Sequence, residues 1–225
     1  NPNRRKHELW ISQNARTKIF SSLKIPPIPI FNLDKSKNLP ISANKVHQGA
    51  ILKVSPLKQS TEIHETSKTK QPKLVVILDK VSDPQNVGAI IRSSLFFNCD
   101  AIINSINGGS SENGSLVKAA SGAFEHVRYI QVTNIVQTII KLKKIGYFVI
   151  GLDENSVDKI SSITRGESDI AVVFGAEGKG IRKLTREHCD HLVSIDGNHS
   201  FSSLNVSTAV GITLFNIQSN SFNSA

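Results

Sequence analysis

The sequence predicts an α/β fold, with a mostly parallel sheet covered by helices on both faces. Three observations carry that reading. Short apolar runs such as Leu74 to Leu78 and Ile170 to Phe174 alternate with stretches of helical periodicity through residues 74–225, and wholly apolar runs of that length suit strands buried on both faces. Polar or glycine-rich blocks follow several of these runs directly, where such sheets place their ligand sites. The excess positive charge is confined to the first third of the chain, which sets that part aside from the regular pattern.

In chain order, residues 1–25 mix basic residues with Leu9, Trp10, Ile11, Ile19, Phe20 and Leu23 and read as one helix with a modest apolar face. Pro26, Pro27 and Pro29 exclude helix between Ile25 and Ile30, leaving an extended connection or edge strand. His47-Gln48-Gly49 reads as a turn into a short strand reaching Val54. From Ser55 the composition changes to Lys, Ser, Thr, Gln and Glu, the mark of a linker. The expected organisation is therefore a small basic part over 1–56, a linker over 57–73 and a main domain over 74–225.

Within the main domain, strands are expected at Leu74–Leu78, Ala101–Asn104, Val127–Gln131, Tyr147–Gly151, Ile170–Phe174 and His191–Ile195. Helices are expected at Val87–Asn98, Ser115–Ala123 and Asn134–Lys144, and from Ile181 and Val206 onward. Ser202 or Ser203 is a candidate cap for the last of these.

At 225 residues, with 39% hydrophobic and 20% charged side chains, the chain has the material for a sizeable core. No apolar run approaches the roughly 20 residues of a membrane helix. Residues 1–73 hold 14 Lys+Arg against 4 Asp+Glu, a net of +10, whereas residues 74–225 are close to neutral. That asymmetry points to a polyanion-binding part, with a solvated basic arm as the alternative. Cys99 and Cys189 stand alone and read as free core thiols in a reducing compartment. His188-Cys189-x-His191 lacks a second ligand pair, so no metal site is expected. The sequence contains no Met, even at position 1, and is expected to begin inside a longer chain.

Three blocks stand out as candidate chemistry: Asp83-Pro84-Gln85-Asn86-Val87-Gly88-Ala89-Ile90-Ile91-Arg92, Gly175-Ala176-Glu177-Gly178-Lys179-Gly180, and Ser202-Ser203-Leu204-Asn205-Val206-Ser207. The second lacks the Gly-Lys-Ser/Thr ending of a phosphate loop, and no Gly-x-Gly-x-x-Gly follows the first strand. No Gly-x-Ser-x-Gly elbow supports a serine hydrolase, although Ser200, Ser202 and Ser203 lie near His199.

In order and spacing the three blocks resemble the three motifs of the SpoU (TrmH-type) RNA ribose 2′-O-methyltransferases: Asn86-x-Gly88-x-x-x-Arg92, Phe174 through Gly180, and Ser202 through Ser207. The likeness covers about residues 74–218. His47-Gln48-Gly49 resembles the tail of the L30e-like RNA-binding domain that many members carry in front, which would make residues 1–56 a partial copy of it. The Asn/Ile/Lys/Ser-rich composition is similar to that of fungal mitochondrial members acting on a guanosine of large-subunit ribosomal RNA, and this implies a mitochondrial matrix location, with the cytoplasm as the alternative.

The resemblance implies a SPOUT fold with a C-terminal trefoil knot, S-adenosylmethionine as cofactor, ribosomal RNA as substrate and a homodimer. It places Gly175, Ile195 and Leu204 at cofactor-contacting positions and Asn86, Arg92, Glu177, Ser203 and Asn205 at active-site positions. Each has a plainer reading. Asn86 can be a helix cap, Arg92 a solvated or phosphate-pairing residue, Glu177 a cap for the helix near Ile181, and Gly175 a bare turn. Ser203 and Asn205 can serve only to tie crossing backbones together. The family gives the Arg92 position a base role, but a guanidinium hardly loses its proton, so oxyanion stabilisation or a phosphate grip stand beside it. The remaining alternatives are a tRNA 2′-O-methyltransferase and a non-catalytic RNA-binding or ribosome-assembly protein with the same fold.

Overall fold

A computed structural model describes residues 4–36, 38–42, 45–57, 73–163, 168–197 and 204–222. The chain divides into two compact units, Asn1–Lys58 and Gln59–Ala225.

The first unit is a three-stranded sheet in which the stretch expected as one helix over residues 1–25 holds a strand and a shorter helix. Strand β1 (Lys6–Ile11) is followed by helix α1 (Gln13–Phe20), β2 (Ile30–Asn32) and β3 (Ala50–Val54). The strand order is β2-β1-β3, with β1 parallel to β2 and antiparallel to β3. The helical reading failed because Leu9, Trp10 and Ile11 are a contiguous apolar run, and all three are buried. Ser12 then ends the strand and starts the helix, its hydroxyl accepting the Ala15 N–H at 3.2 Å. Trp10 stacks on Phe31 of β2 with ring centroids 5.1 Å apart. The turn before β3 uses positive φ at Gln48 and Gly49 (51° and 84°), and a Cβ on Gly49 would stand 2.7 Å from Ser12 Oγ.

The second unit runs β4 (Leu74–Asp79), α2 (Pro84–Phe96), β5 (Ala101–Ser105), α3 (Gly114–Ala119), β6 (Tyr129–Val132), α4 (Ile135–Lys144), β7 (Phe148–Leu152), β8 (Ile170–Gly175), α5 (Lys183–Glu187), β9 (His191–Val193) and α6 (Val206–Phe222). Its sheet has the order β6-β5-β4-β8-β7-β9, and every neighbouring pair is parallel. Strand alternation splits the core in two. On one face Val75, Ile77, Ile103, Val149 and Val173 pack with Ile135, Ile139 and Leu142 of α4. The other face is covered by α2, α3 and α6, with α2 packed against both α3 and α6.

Several boundaries differ from expectation for local reasons. α2 starts three residues before Val87, because Asp83 caps it and Pro84 occupies the first turn. α3 stops at Ala119, since Ser121 and Gly122 take φ of 50° and 88° before a short 3-10 turn at Ala123–Glu125. β9 ends at Val193, two residues before the expected Ile195. The helix expected from Ile181 begins at Lys183.

The order of the strands fixes where a ligand can sit. β5 and β6 lie on one side of β4, and β8, β7 and β9 on the other. The direction of winding therefore switches between β4 and β8, and the crevice beyond their carboxyl ends is the natural site. The threading of a trefoil knot would run through the segment before α6, of which residues 198–203 lie outside the described residues.

Candidate active site

The switch point begins with a buried charge. β4 and β8 end side by side, Asp79 opposite Gly175. The Asp79 side chain is wholly buried and is held by Arg182, whose Nη2 lies 2.6 Å and Nε 2.8 Å from Oδ1. The Arg182 backbone N–H adds a third bond, at 3.2 Å to Oδ2. A buried carboxylate is tolerable only when it is paired and hydrogen-bonded in this way. The pair anchors the exit of the Gly175–Ile181 loop to the end of β4. Sequence reasoning missed it, and the available signal was an Asp closing an otherwise apolar strand.

The loop itself folds back on its own strand. Gly180 N–H donates to the Ala176 carbonyl at 2.8 Å, and Gly178 and Gly180 take φ of 73° and 62°. A Cβ on Gly175 would lie 1.9 Å from the Gly180 carbonyl carbon. Gly175 is thus required by the chain's own return, whatever else the loop binds.

Glu177, at the loop tip, joins all three sequence blocks. Its Oε1 accepts Asn86 Nδ2 at 3.0 Å, Asn205 Nδ2 at 2.9 Å and the Val206 N–H at 3.4 Å. Asn205 Nδ2 also donates to Asn86 Oδ1 at 2.8 Å, closing the triangle. The carboxylate therefore sits at the amino end of α6, where the helix dipole favours negative charge. It does not cap the helix after Ile181, whose N-cap position, Arg182, makes no side-chain cap bond.

Two cap assignments change at the same time. Asp83 caps α2, accepting the N–H groups of Gln85 and Asn86 at 3.2 and 3.3 Å, so the Asn86 side chain is free for the triangle. Asn205 caps α6: its Oδ1 accepts Ser207 N–H at 2.9 Å, Ser207 Oγ at 2.6 Å and Thr208 N–H at 3.4 Å. Ser202 and Ser203 lie outside the described residues.

Arg92 stands apart from this network. It is exposed on α2, six residues and about 9 Å of helix beyond Asn86. Among the described residues it has neither a hydrogen-bond nor an ion-pair partner.

The proposed cofactor positions suit a nucleoside held by main-chain groups. Ile195 is half-buried after β9 and Leu204 lies just before α6, and neither makes a backbone hydrogen bond to another described residue. The Leu204 side chain is 50% exposed beside Asn205 and offers an apolar surface. Main-chain donors and acceptors next to an exposed aliphatic side chain fit the adenosine part of S-adenosylmethionine. Among the described residues no cluster of His, Cys, Asp or Glu is arranged to hold a metal ion. Cys99 and Cys189 are free thiols. Burial, and next the neighbouring Asp190, push the Cys189 thiol up to about 12.

A second polar network supports the site from beneath. Buried Asn104 donates from Nδ2 to the Val81 carbonyl at 3.2 Å and to Tyr129 Oη at 2.9 Å. The Tyr129 hydroxyl in turn donates to the Ser110 carbonyl. Burial pushes the Tyr129 hydroxyl up to about 12, against the lowering effect of the Asn104 hydrogen bond. This network ties the loop leading into α2 to the loop after β5.

Comparison with known proteins agrees with this geometry. Residues 73–215 match the SpoU rRNA Methylase family. An uncharacterized tRNA/rRNA methyltransferase of Borreliella burgdorferi is 35% identical over 217 residues, covering 92% of this chain and 91% of that protein. A 23S rRNA (guanosine-2′-O-)-methyltransferase RlmB of Ralstonia nicotianae is 40% identical over 214 residues, covering 92% of this chain and 85% of its own. In fold, the chain is similar to the SpoU methyltransferase AviRb of Streptomyces viridochromogenes, solved in complex with AdoMet, with a TM-score of 0.75 at 16% identity over 96% of this chain and 83% of that one. With its three sequence blocks drawn together at the switch point of a parallel sheet, the chain belongs to the SpoU rRNA methylase family.

Proposed function

We propose that this protein transfers a methyl group from S-adenosylmethionine to the 2′-hydroxyl of a ribose in RNA, and that its target is a guanosine of large-subunit ribosomal RNA. The observation that carries the reading is the Asn86–Glu177–Asn205 triangle, which unites three blocks far apart in sequence beyond the carboxyl ends of the strands, where sheets of this kind place their ligand sites. The target rests on the relatives named for 23S rRNA guanosine-2′-O-methylation.

When bound, the cofactor supplies an electrophilic methyl group on a sulfonium. Ile195 and Leu204 would hold its nucleoside through main-chain groups, beside the Gly175 loop. The chain's other residues divide the work by their commitments. Glu177 uses Oε1 to hold Asn86, Asn205 and the start of α6 in register, so it orients the site. Arg92, permanently charged and without a partner among the described residues, stabilises the oxyanion that develops as the ribose hydroxyl passes its proton to solvent water. Fixed geometry of this kind lowers the entropic part of the barrier to an in-line transfer.

The reading extends to a homodimer. Leu95 and Phe96 of α2 and Ile212 and Phe215 of α6 are 37%, 79%, 38% and 61% exposed, and they form an apolar face on two packed helices that a second copy of the chain would cover. Sedimentation of Phe96→Asp as a monomer, against a dimeric wild type, would support it. The basic first third is assigned to RNA binding and the mitochondrial matrix to location; the latter rests on composition alone. The central test is a map of ribose methylation in ribosomal RNA from cells lacking the protein. One guanosine should lose its 2′-O-methyl group and regain it in vitro with purified protein and cofactor. An unchanged map would sink the assignment.

A further inference from the structure

Lys80, one residue beyond the central strand, has a backbone conformation that its side chain does not favour. Its φ is 63°, in the left-handed region where glycine and asparagine are the common occupants. The residues on both sides are clamped. Asp79 before it is locked by Arg182, and the carbonyl of Val81 after it accepts the buried Asn104 amide at 3.2 Å. The same Asn104 bonds Tyr129, which holds Ser110 and so fixes the loop after β5. Gly109 in that loop admits no side chain, since a Cβ there would stand 2.0 Å from the Ser105 carbonyl oxygen.

The stem of the side chain runs beside the loop after β5. Cγ and Cδ of Lys80 pass 3.6 Å from where a Cβ of Gly108 would stand, so the stem lies along a glycine that itself takes φ of 78°. The residue is nevertheless exposed, and among the described residues its ammonium meets no hydrogen-bond or ion-pair partner. The adjacent carboxylate of Asp79 is already taken by Arg182. With Asp79 and Val81 both tied down, the backbone that carries this charged head is fixed before any ligand arrives, which lowers the ordering cost of binding.

We infer that Lys80 is a prebuilt seat for a backbone phosphate of the RNA substrate, held by the buried Asn104–Tyr129 pair at the carboxyl end of β4. The inference rests on the RNA methyltransferase reading and names a contact that reading does not need. A phosphodiester is the matching chemistry because the feature is an exposed cation with no partner among the described residues, at the switch-point end of the sheet and just beyond the strand that precedes Asn86.

The test uses the full chain and an unmodified large-subunit ribosomal RNA transcript from the same organism, with Lys80→Gly, Lys80→Ala and Lys80→Arg. Losing one phosphate contact should flatten the slope of log affinity against log salt by about 0.7 to 0.9 and weaken binding roughly five-fold near 0.1 M salt. Both Lys80→Gly and Lys80→Ala should show this, while Lys80→Arg keeps the wild-type slope. Cofactor affinity should stay unchanged in all three. Lys80→Gly should melt no lower than wild type, because glycine accepts this φ freely, so it decides the matter even if Lys80→Ala is unstable. Wild-type affinity and slope in Lys80→Gly overturn the inference. If the wild type methylates the transcript while Lys80→Gly binds as it does, only this inference fails. If the wild type binds but never methylates, the functional reading fails and the slopes still decide Lys80.

Discussion

The polar triangle at the loop tip and the cations flanking it are built on opposite terms. In the triangle every partner is protein: Glu177 Oε1 takes three donors, and Asn205 gives and receives on both sides of its amide. Arg92 and Lys80 are exposed and have no partner among the described residues. Groups whose hydrogen bonds are already spent hold shape, and groups left with unspent charge meet substrate. The difference separates architecture from chemistry among residues that a motif places together.

The largest effect should come from the uncommitted side. Arg92→Ala should lower single-turnover methylation by about 100-fold or more, the scale of losing a positioned charge donor, with melting temperature and cofactor affinity unchanged. Normal turnover at saturating RNA, with only RNA affinity lost, would make Arg92 a phosphate anchor and move it beside Lys80.

On the committed side the effect should appear in stability first. Asn205→Ala removes the cap of α6 and both amide bonds to the triangle, a loss of about 1–2 kcal/mol. Denaturant unfolding should show it, together with weaker cofactor binding, because Leu204 precedes the freed cap. Asn205→Asp keeps the cap but sets a second carboxylate against Glu177, so it should be no more stable than Asn205→Ala near neutral pH. If Asn205→Ala unfolds like wild type but is catalytically dead, the division drawn between the two groups is wrong.

The smallest effect concerns the support network and lies at alkaline pH. Tyr129 is held protonated to about 12 by burial, with Asn104 working against that shift. Its pKa is raised above the unfolded value near 10, so the stability it confers is complete below that value and is lost as pH rises toward 12. Cys189, raised mainly by burial from 9 to about 12, adds the same sign from a lower starting pH. Melting temperature should fall from about pH 9 upward. Cys189→Ala should remove the earlier part of that fall and Tyr129→Phe the later part. A flat alkaline profile in the wild type would contradict both assignments.

Much of this was legible in the residues. Leu74–Leu78 and Ile170–Phe174 read as buried strands because side chains pointing both ways are apolar, and the blocks after them fell at the carboxyl ends. What could not be read was any choice settled by distant partners. Asp83 and Asn86 are both cap-forming types, and only Pro84 in the first helical turn decides for Asp83. The Asp79–Arg182 pair spans 103 residues, and nothing local to either residue announces the other. The N-terminal strand was misread because Trp10 is buried by Phe31 and Ile51, residues a local window does not include. The place of β8 between β4 and β7 is likewise a property of the whole sheet.

The triangle also sets an order of events in the life of the chain. Its three corners are contributed at positions 86, 177 and 205, and the bond between the two asparagines closes a loop of 119 residues. Contacts so remote in sequence form late, since the entropy of bringing their ends together is charged before they give anything back. A nascent chain can pair β4 with β5 while it is still being made, yet it has no assembled site until α6 has emerged and docked. Activity should therefore appear only on completion, and a product cut short before Asn205 should be inert even where its sheet has formed.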